Sequence, residues 1–384
     1  MPLPGRGSRR LAALWLASFT FFFAFFLLLP TLPLYLRGLG ASDGEIGLIM
    51  GCFAITSMLL RPWTGWGTDR WGRRPFMLAG GIVFVLAPAG YALASGVLAL
   101  VLVRLLHGGG MALYPTAATA MVADVAPPAR RGEFLGLFGA AGSIAMALGP
   151  ISGIELIARL DFRGLFAVSA ATALLALGLA FTTRETLVAP SAGRFALAST
   201  FSGPAVRPSL VIGCLMLTYG ALVTFLPLHA QGLGVNPGIF FLVYALVLTL
   251  ARGPAGRLSD RHGRAPVAAA GLALAAVALG VLALSEGPLA LAVVGALYGL
   301  AGGVAQPALV AWCVDGVAPT DRGRAMGTFF TALELAIALG AMSSGLAVAR
   351  WGFAPTFLAM AGVAVAGAVL PLARRRPAPP QRGV

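Results

Sequence analysis

Gly65-Trp-Gly-Thr-Asp-Arg-Trp-Gly-Arg-Arg-Pro75 is short, glycine-bearing and basic, and it lies between two long apolar runs. Its pattern returns as Gly256-Arg-Leu-Ser-Asp-Arg-His-Gly-Arg-Ala-Pro266, an offset of 191 residues in a chain of 384. The offset carries Asp69 onto Asp260, Gly72 onto Gly263, Arg73 onto Arg264 and Pro75 onto Pro266. Farther along it carries Asp124 onto Asp315, Arg131 onto Arg322, Gly132 onto Gly323, Gly136 onto Gly327 and Gly149 onto Gly340. Self-similarity at a fixed period is a fold-level signal and precedes any local reading. The simplest account is a duplicated half, each copy bearing one such basic loop.

The chain is 59% hydrophobic and 10% charged, with a mean hydropathy of +0.90. Soluble domains carry about 25% charged residues, so a chain this apolar belongs in a bilayer. Twelve spans fit, because the length leaves 32 residues for each span and its connection, and a span needs about 20. Open strands would leave backbone groups unpaired in lipid, so the spans are expected to be helices. They are placed near 11–35, 45–64, 76–95, 97–124, 132–157, 164–182, 209–230, 238–254, 266–285, 288–314, 324–348 and 354–373. The expected class is an all-α membrane protein with twelve transmembrane helices in two pseudo-symmetric six-helix bundles. The expected divisions are an N-terminal bundle (1–183), a polar linker (184–208), a C-terminal bundle (209–373) and a basic tail (374–384).

A net charge of +14 raises nucleic acid as a partner, and the placement of the charge excludes it. All 27 basic residues are arginine, and 22 of them, Arg61 and Arg252 included, fall to one alternating set of loops and ends. Arg37, Arg159, Arg163 and Arg350 form the opposite set, and Arg104 lies inside a span. Basic loops face the cytoplasm, so both termini are expected there. The run from Leu11 to Tyr35 is too long for a signal peptide and is taken as the first span. Ser42 or Asp43 is placed to cap the second helix ahead of Glu45. Cys52, Cys214 and Cys313 stand in separate apolar runs without metal-ligand spacing, so no metal or cofactor is expected. No P-loop, H-E-x-x-H or G-x-S-x-G is present, which argues against ATP drive and hydrolysis.

These residues resemble the major facilitator superfamily over the whole chain. Gly65-x-x-x-Asp69-Arg70-x-Gly72-Arg73-Arg74 resembles its motif A, between helices 2 and 3. Leu100-x-x-x-Arg104-x-x-His107-Gly108-x-Gly110-x-Ala112 resembles motif B on helix 4. Ala145-x-x-x-Gly149-Pro150-x-x-Gly153 resembles motif C on helix 5, a mark of exporters and antiporters. The run from Leu32 to Ser42 is similar to bacterial drug and sugar efflux members.

The resemblance implies a gating role for the motif A residues. Asp69 would face the N-terminus of helix 11, where the dipole favours a carboxylate, and Arg73 would pair with Asp124. Gly65, Arg70, Gly72 and Arg131 belong to the same set, and Asp260, Arg261, Gly263, Arg264 and Asp315 repeat it. These contacts would close the cytoplasmic side. A charged side chain inside a span usually faces a cavity, which singles out Arg104 and Glu334. The counterpart of Glu334 is Ser143, so the duplicated scaffold does not require the acid. Glu334 is read as the proton or cationic-substrate site, with Arg104, Glu155 and His107 as further coupling candidates. Glu155 also has Arg159 at i+4, a favourable surface pair. Gly139, Gly142, Gly149 and Gly153 form a small-residue stripe suited to helix packing. Tyr35, Tyr114, Tyr219, Tyr244, Gln306 and Trp312 are candidate cavity residues. The reading is a secondary active transporter with a midplane site: proton-coupled export of a small amphipathic drug, sugar or metabolite across a bacterial inner membrane, by a monomer among lipids. A facilitator or importer of a sugar or metabolite and a lipid transporter with this fold are the alternatives.

Overall fold

The computed structural model describes residues 6–127, 130–188, 201–284, 286–318 and 321–372, so the expected tail 374–384 and much of the linker lie outside it. The described chain is helical, with no strand in it. Its helices are α1 (Arg6–Leu28), α2 (Thr31–Gly38), α3 (Asp43–Trp71), α4 (Arg73–Leu93), α5 (Val97–Val125), α6 (Arg131–Thr182), α7 (Val206–Gly232), α8 (Gly238–His262), α9 (Arg264–Leu284), α10 (Pro288–Asp315), α11 (Arg322–Trp351) and α12 (Phe353–Val369). Ten helical segments are long and apolar enough to cross a membrane, α1 and α2 counting as one, and α12 is a shorter apolar helix.

Two departures from the expected spans have local causes. The first span is split where Pro30, without an amide hydrogen, stands between α1 and α2. The fifth and sixth spans run almost continuously as α6, 52 residues long, broken at Asp161 (φ 61°, ψ −171°). There the Asp161 carboxylate accepts from the amides of Arg163 at 2.6 Å and Gly164 at 3.2 Å, capping the second limb. Those amides would otherwise be orphaned at a helix start. With α6 read as two limbs, 131–160 and 162–182, the count of crossings is the expected twelve. At α3 the expected cap is present: the Ser42 hydroxyl accepts from the Glu45 amide, and the Glu45 carboxylate accepts from the Ser42 amide.

The basic loops are shorter than the sequence suggests. α3 continues through Pro62 to Trp71, and Gly72 alone turns the chain into α4 with φ 103°. Gly263 does the same between α8 and α9 with φ 89°. Both values lie in the left-handed half of backbone space that glycine enters without steric cost. Asp69 therefore sits on the last turn of a helix, not in a turn between helices.

α1–α6 and α7–α12 pack as two halves joined through α3 against α11 and α6 against α8. The repeat maps one of these pairs onto the other. Call the end of the molecule that holds Gly72 and Gly263 the arginine-rich end. The halves meet tightly at the opposite end. A Cβ on Gly47 would lie 3.1 Å from Gly345 Cα, and one on Gly238 would lie 3.0 Å from Ile151 Cα. Backbones approach this closely only where side chains are absent. Within the first half the glycine stripe does the same work: a Cβ on Gly149 would lie 3.0 Å from the Phe26 carbonyl carbon, bringing α6 onto α1. Gly340 packs α11 against Leu217 of α7 in the second half.

Leucine at Gly47 must separate α3 from α11. We expect Gly47→Leu to remove disulfide cross-linking between cysteines placed at Gly44 and Leu346, which flank this contact, while the protein still inserts and folds. Undiminished cross-linking would show that the glycine contact does not close this end.

Candidate functional site

A cavity of about 260 Å³ lies between the halves. Its wall comes from both: Phe22, Phe25, Phe26, Met50, Phe53, Ser57 and Arg104 on one side, Tyr219, Thr224, Leu333, Glu334 and Ile337 on the other. The lining is mostly aromatic and aliphatic, with a small number of polar groups, the usual make-up of a small-molecule site.

Among the described residues, one ion pair spans the two halves. Arg61 of α3 donates through Nη2 to Glu334 Oε1 of α11. Ser57, one turn away on α3, donates to the same oxygen at 3.3 Å and accepts from Arg61 Nη2 at 3.2 Å. Glu334 is buried, and its second oxygen, Oε2, has no hydrogen-bond partner among the described residues. The sequence reading missed Arg61 by counting it among loop arginines. The expected span is 45–64, yet α3 runs on through Pro62 for ten residues beyond Arg61. Proline is tolerated in a membrane helix where neighbouring groups satisfy the freed carbonyl.

Arg104 of α5 lies buried on the same wall. Its guanidinium stacks 4.4 Å above the Phe53 ring, and Nη2 lies 3.6 Å from Met50 Sδ. A cation over an aromatic face is attracted by the ring quadrupole. No ion pair holds it among the described residues. His107 is buried one turn farther along α5, 3.0 Å from the Tyr91 hydroxyl and ringed by Phe25, Phe53 and Phe84.

The other candidates scatter. Tyr219 lines the cavity and stacks on Tyr244 behind it, with centroids 5.9 Å apart. Tyr35 donates to the Tyr91 carbonyl at 3.1 Å. Tyr114 is buried against Phe21, with centroids 3.9 Å apart, and Trp312 lies beneath the Arg207 guanidinium. None of these three lines the cavity. Glu155 is more than half exposed and pairs with Arg159 at 2.6 Å, away from the cavity, as its surface-pair reading expected. Gln306 lies 3.5 Å from Arg252 Nη2, outside the cavity wall. Of the helix 5 motif, Gly149 and Gly153 serve the contact of α6 with α1, and Pro150 lies within α6.

At the arginine-rich end each repeated cluster assembles within its own half. Arg73 Nε pairs with Asp124 at 3.1 Å and Arg73 Nη2 with Asp69 at 3.2 Å. Arg264 Nε pairs with Asp315 at 2.9 Å, and Arg264 Nη1 with Asp260. Each arginine thereby ties three helices together: α3, α4 and α5 in the first half, α8, α9 and α10 in the second. Both clusters are assembled while the opposite end is closed. Arg70 lies over the Trp66 ring, Arg261 is exposed, and the side chain of Arg131 is outside the described residues.

The first cluster has an addition that the sequence reading did not find. Glu185, just past α6, accepts from the amides of Arg73 at 3.0 Å and Arg74 at 2.9 Å and so caps α4. Thr186 donates to Asp124 at 2.7 Å. Burial works to raise the Glu185 carboxyl, but the amides of Leu187, Arg73, Arg74 and Thr186 outweigh it and hold the group below its ordinary value. The start of the linker is thus tied to the motif A residues.

Comparison with known proteins agrees with this geometry. The model of the Major Facilitator Superfamily matches residues 14–251 and 237–384. Multidrug resistance protein MdtG of Citrobacter koseri is 26% identical over 386 residues, covering 96% of this chain and 95% of its own. A multi-drug resistance efflux pump PmrA homolog of Lactococcus lactis is 27% identical over 319 residues, 78% of each chain. Among solved structures, the nucleoside transporter NupG aligns with a TM-score of 0.80 at 17% identity, covering 94% of this chain and 98% of its own. A peptide transporter, POT, aligns with a TM-score of 0.82 at 17% identity over 97% and 96% of the two chains. At such identities the two structures speak to the fold alone. With both halves matched by the family model and the repeated helices laid out as that family requires, this chain belongs to the Major Facilitator Superfamily: it is a multi-pass membrane transporter and not an enzyme.

Proposed function

We propose that the protein exports a small amphipathic molecule against proton entry, and that Glu334 carries the proton. The observation that supports this most is the Glu334 carboxylate itself. One of its oxygens is held across the interface by Arg61 and Ser57, and the other is unpartnered in the cavity wall. A proton arriving at Oε2 removes the charge that holds Arg61. The tie between the halves then weakens, and the bundles can rock about the cavity. Its deprotonated form restores the tie. Glu334 is buried while Arg61 is about a third exposed, so solvent screens the pair and the tie is weaker than one between two buried charges. A modest tie suits a contact that each transport cycle must break.

Arginine-rich loops face the cytoplasm, which makes the arginine-rich end the inner one and this structure the inward-facing state, closed toward the outside. In this reading the halves, 1–183 and 209–373, move as rigid bundles linked by 184–208. The Arg73 and Arg264 clusters keep the inner end of each bundle rigid as it swings. Gating of the inner side belongs to the exposed Asp69 and Asp260, which each bundle presents there. The efflux-pump name of the 27% identical relative and the multidrug-resistance name of the 26% identical one favour export over import. Placement in a bacterial inner membrane and function as a monomer belong to the same reading.

Purified protein in liposomes with an imposed pH gradient and a panel of labelled dyes and sugars tests it. We expect Glu334→Gln to abolish accumulation driven by the gradient while exchange of substrate down its own gradient continues. Arg61→Gln should lower coupled transport at least tenfold, with Arg61→Lys intermediate. Normal proton-driven rates in Glu334→Gln would refute the assignment.

A further inference from the structure

The repeat that relates the halves places Arg252 of α8 where α3 has Arg61. Each arginine lies ten residues before the end of its helix, at Trp71 and His262, or about 15 Å at 1.5 Å per residue. The same relation carries Glu334 to Ser143 on α6. The position that would supply Arg252 with a carboxylate is therefore occupied by a hydroxyl. No ion pair holds Arg252 among the described residues, and its Nη2 lies 3.5 Å from Gln306 Oε1. Its side chain is exposed, whereas Arg61 is partly covered by its partner.

α8 packs across the interface on α6 as α3 packs on α11, so by the repeat Arg252 stands on the face of α8 that Arg61 occupies on α3, and its side chain reaches Gln306 of α10 in its own half. An uncompensated arginine facing hydrocarbon at a span centre costs about 2.5–3.5 kcal/mol, which also favours the aqueous passage. Near the middle of the spans, among the described residues, three guanidiniums, Arg61, Arg104 and Arg252, stand against one carboxylate, Glu334. The passage is net positive whether or not Glu334 holds a proton, and a cationic amphiphile is repelled along it.

We propose that Arg252 and Gln306 form an anion-receiving subsite, and that the molecule carried is an amphipathic anion with a carboxylate, sulfonate or phosphate group on an apolar body. The planar fork of arginine binds such groups through paired hydrogen bonds, and the Gln306 amide adds a donor beside it. Arg252 and Gln306 lie outside the wall of the central cavity, but Phe22 of that wall also packs beside Gly142, next to Ser143, and there receives the apolar body. This deepens the export reading and rests on it for the role of the site, but binding can be measured without a gradient, so failure of proton coupling leaves the site testable.

The experiment measures binding of two dyes of like shape and opposite charge, fluorescein and rhodamine 6G, to purified protein in nanodiscs of phosphatidylcholine. Fluorescein should bind more tightly. Its Kd should weaken at least tenfold in Arg252→Gln and in Ser143→Asp, which supplies the missing carboxylate, and stay unchanged in Arg257→Gln, an exposed arginine on the same helix. Gln306→Ala should weaken it less. Added phosphatidylglycerol that displaces fluorescein assigns the subsite to a lipid headgroup, and no displacement assigns it to a free amphiphile. Equal binding of the two dyes, or a fluorescein Kd indifferent to Arg252→Gln and Ser143→Asp, overturns the proposal.

Discussion

A carboxylate buried between two apolar bundles must have a partner, and here the partner comes from the other bundle. Arg61 and Ser57 of α3 hold Glu334 of α11. In water such a pair is worth little. Here Glu334 is buried and Arg61 partly covered, and a buried carboxylate is expensive to leave alone, so the pair ties the two halves together. Glycine contacts at the closed end bring α3 and α11 near enough for the pair to form: Gly47 meets Gly345 about three helical turns from Ser57 and Glu334. The electrostatic tie and the small-residue seam are two parts of one joint.

Duplication explains most of the architecture, and its breaches mark the places where the halves do different work. Both halves keep the one-residue glycine turn, at Gly72 and Gly263, and the arginine that binds two aspartates. Those features hold the ends of helices together and are needed twice. Glu334 occurs once, with Ser143 in the matching place, and Arg252 consequently differs from Arg61. Glu185 caps α4 and ties the linker to the first cluster, and the repeat sends that position to Arg376, beyond the described residues.

The fold was legible because its signals are global. Apolar length, the 191-residue repeat and the alternation of arginine-rich loops each bear on the same twelve crossings. The Arg73–Asp124 and Arg264–Asp315 pairs were legible through resemblance, and Glu334 because an acid inside an apolar run has little reason to be there. Arg61 was hidden because it falls with the arginines of loops and ends, near the close of a span expected at 45–64, while the helix continues to Trp71. Glu185 was hidden because it caps a helix more than a hundred residues earlier in sequence. Tyr114 and Trp312 show the opposite failure: a scattered aromatic carries no sign of whether it faces a cavity, a ring of phenylalanines or an arginine, and only packing decides.

If the charge on Glu334 controls how the halves sit, the distance between their inner ends must follow its protonation. Spin labels at Trp71 and His262, the matching ends of α3 and α8, in a variant lacking Cys52, Cys214 and Cys313, report that distance by double electron–electron resonance. The account predicts a distribution that shifts across a pH titration in the otherwise native protein and stays fixed when Glu334 is replaced by Gln. A pH response of equal size in the Gln variant would contradict it.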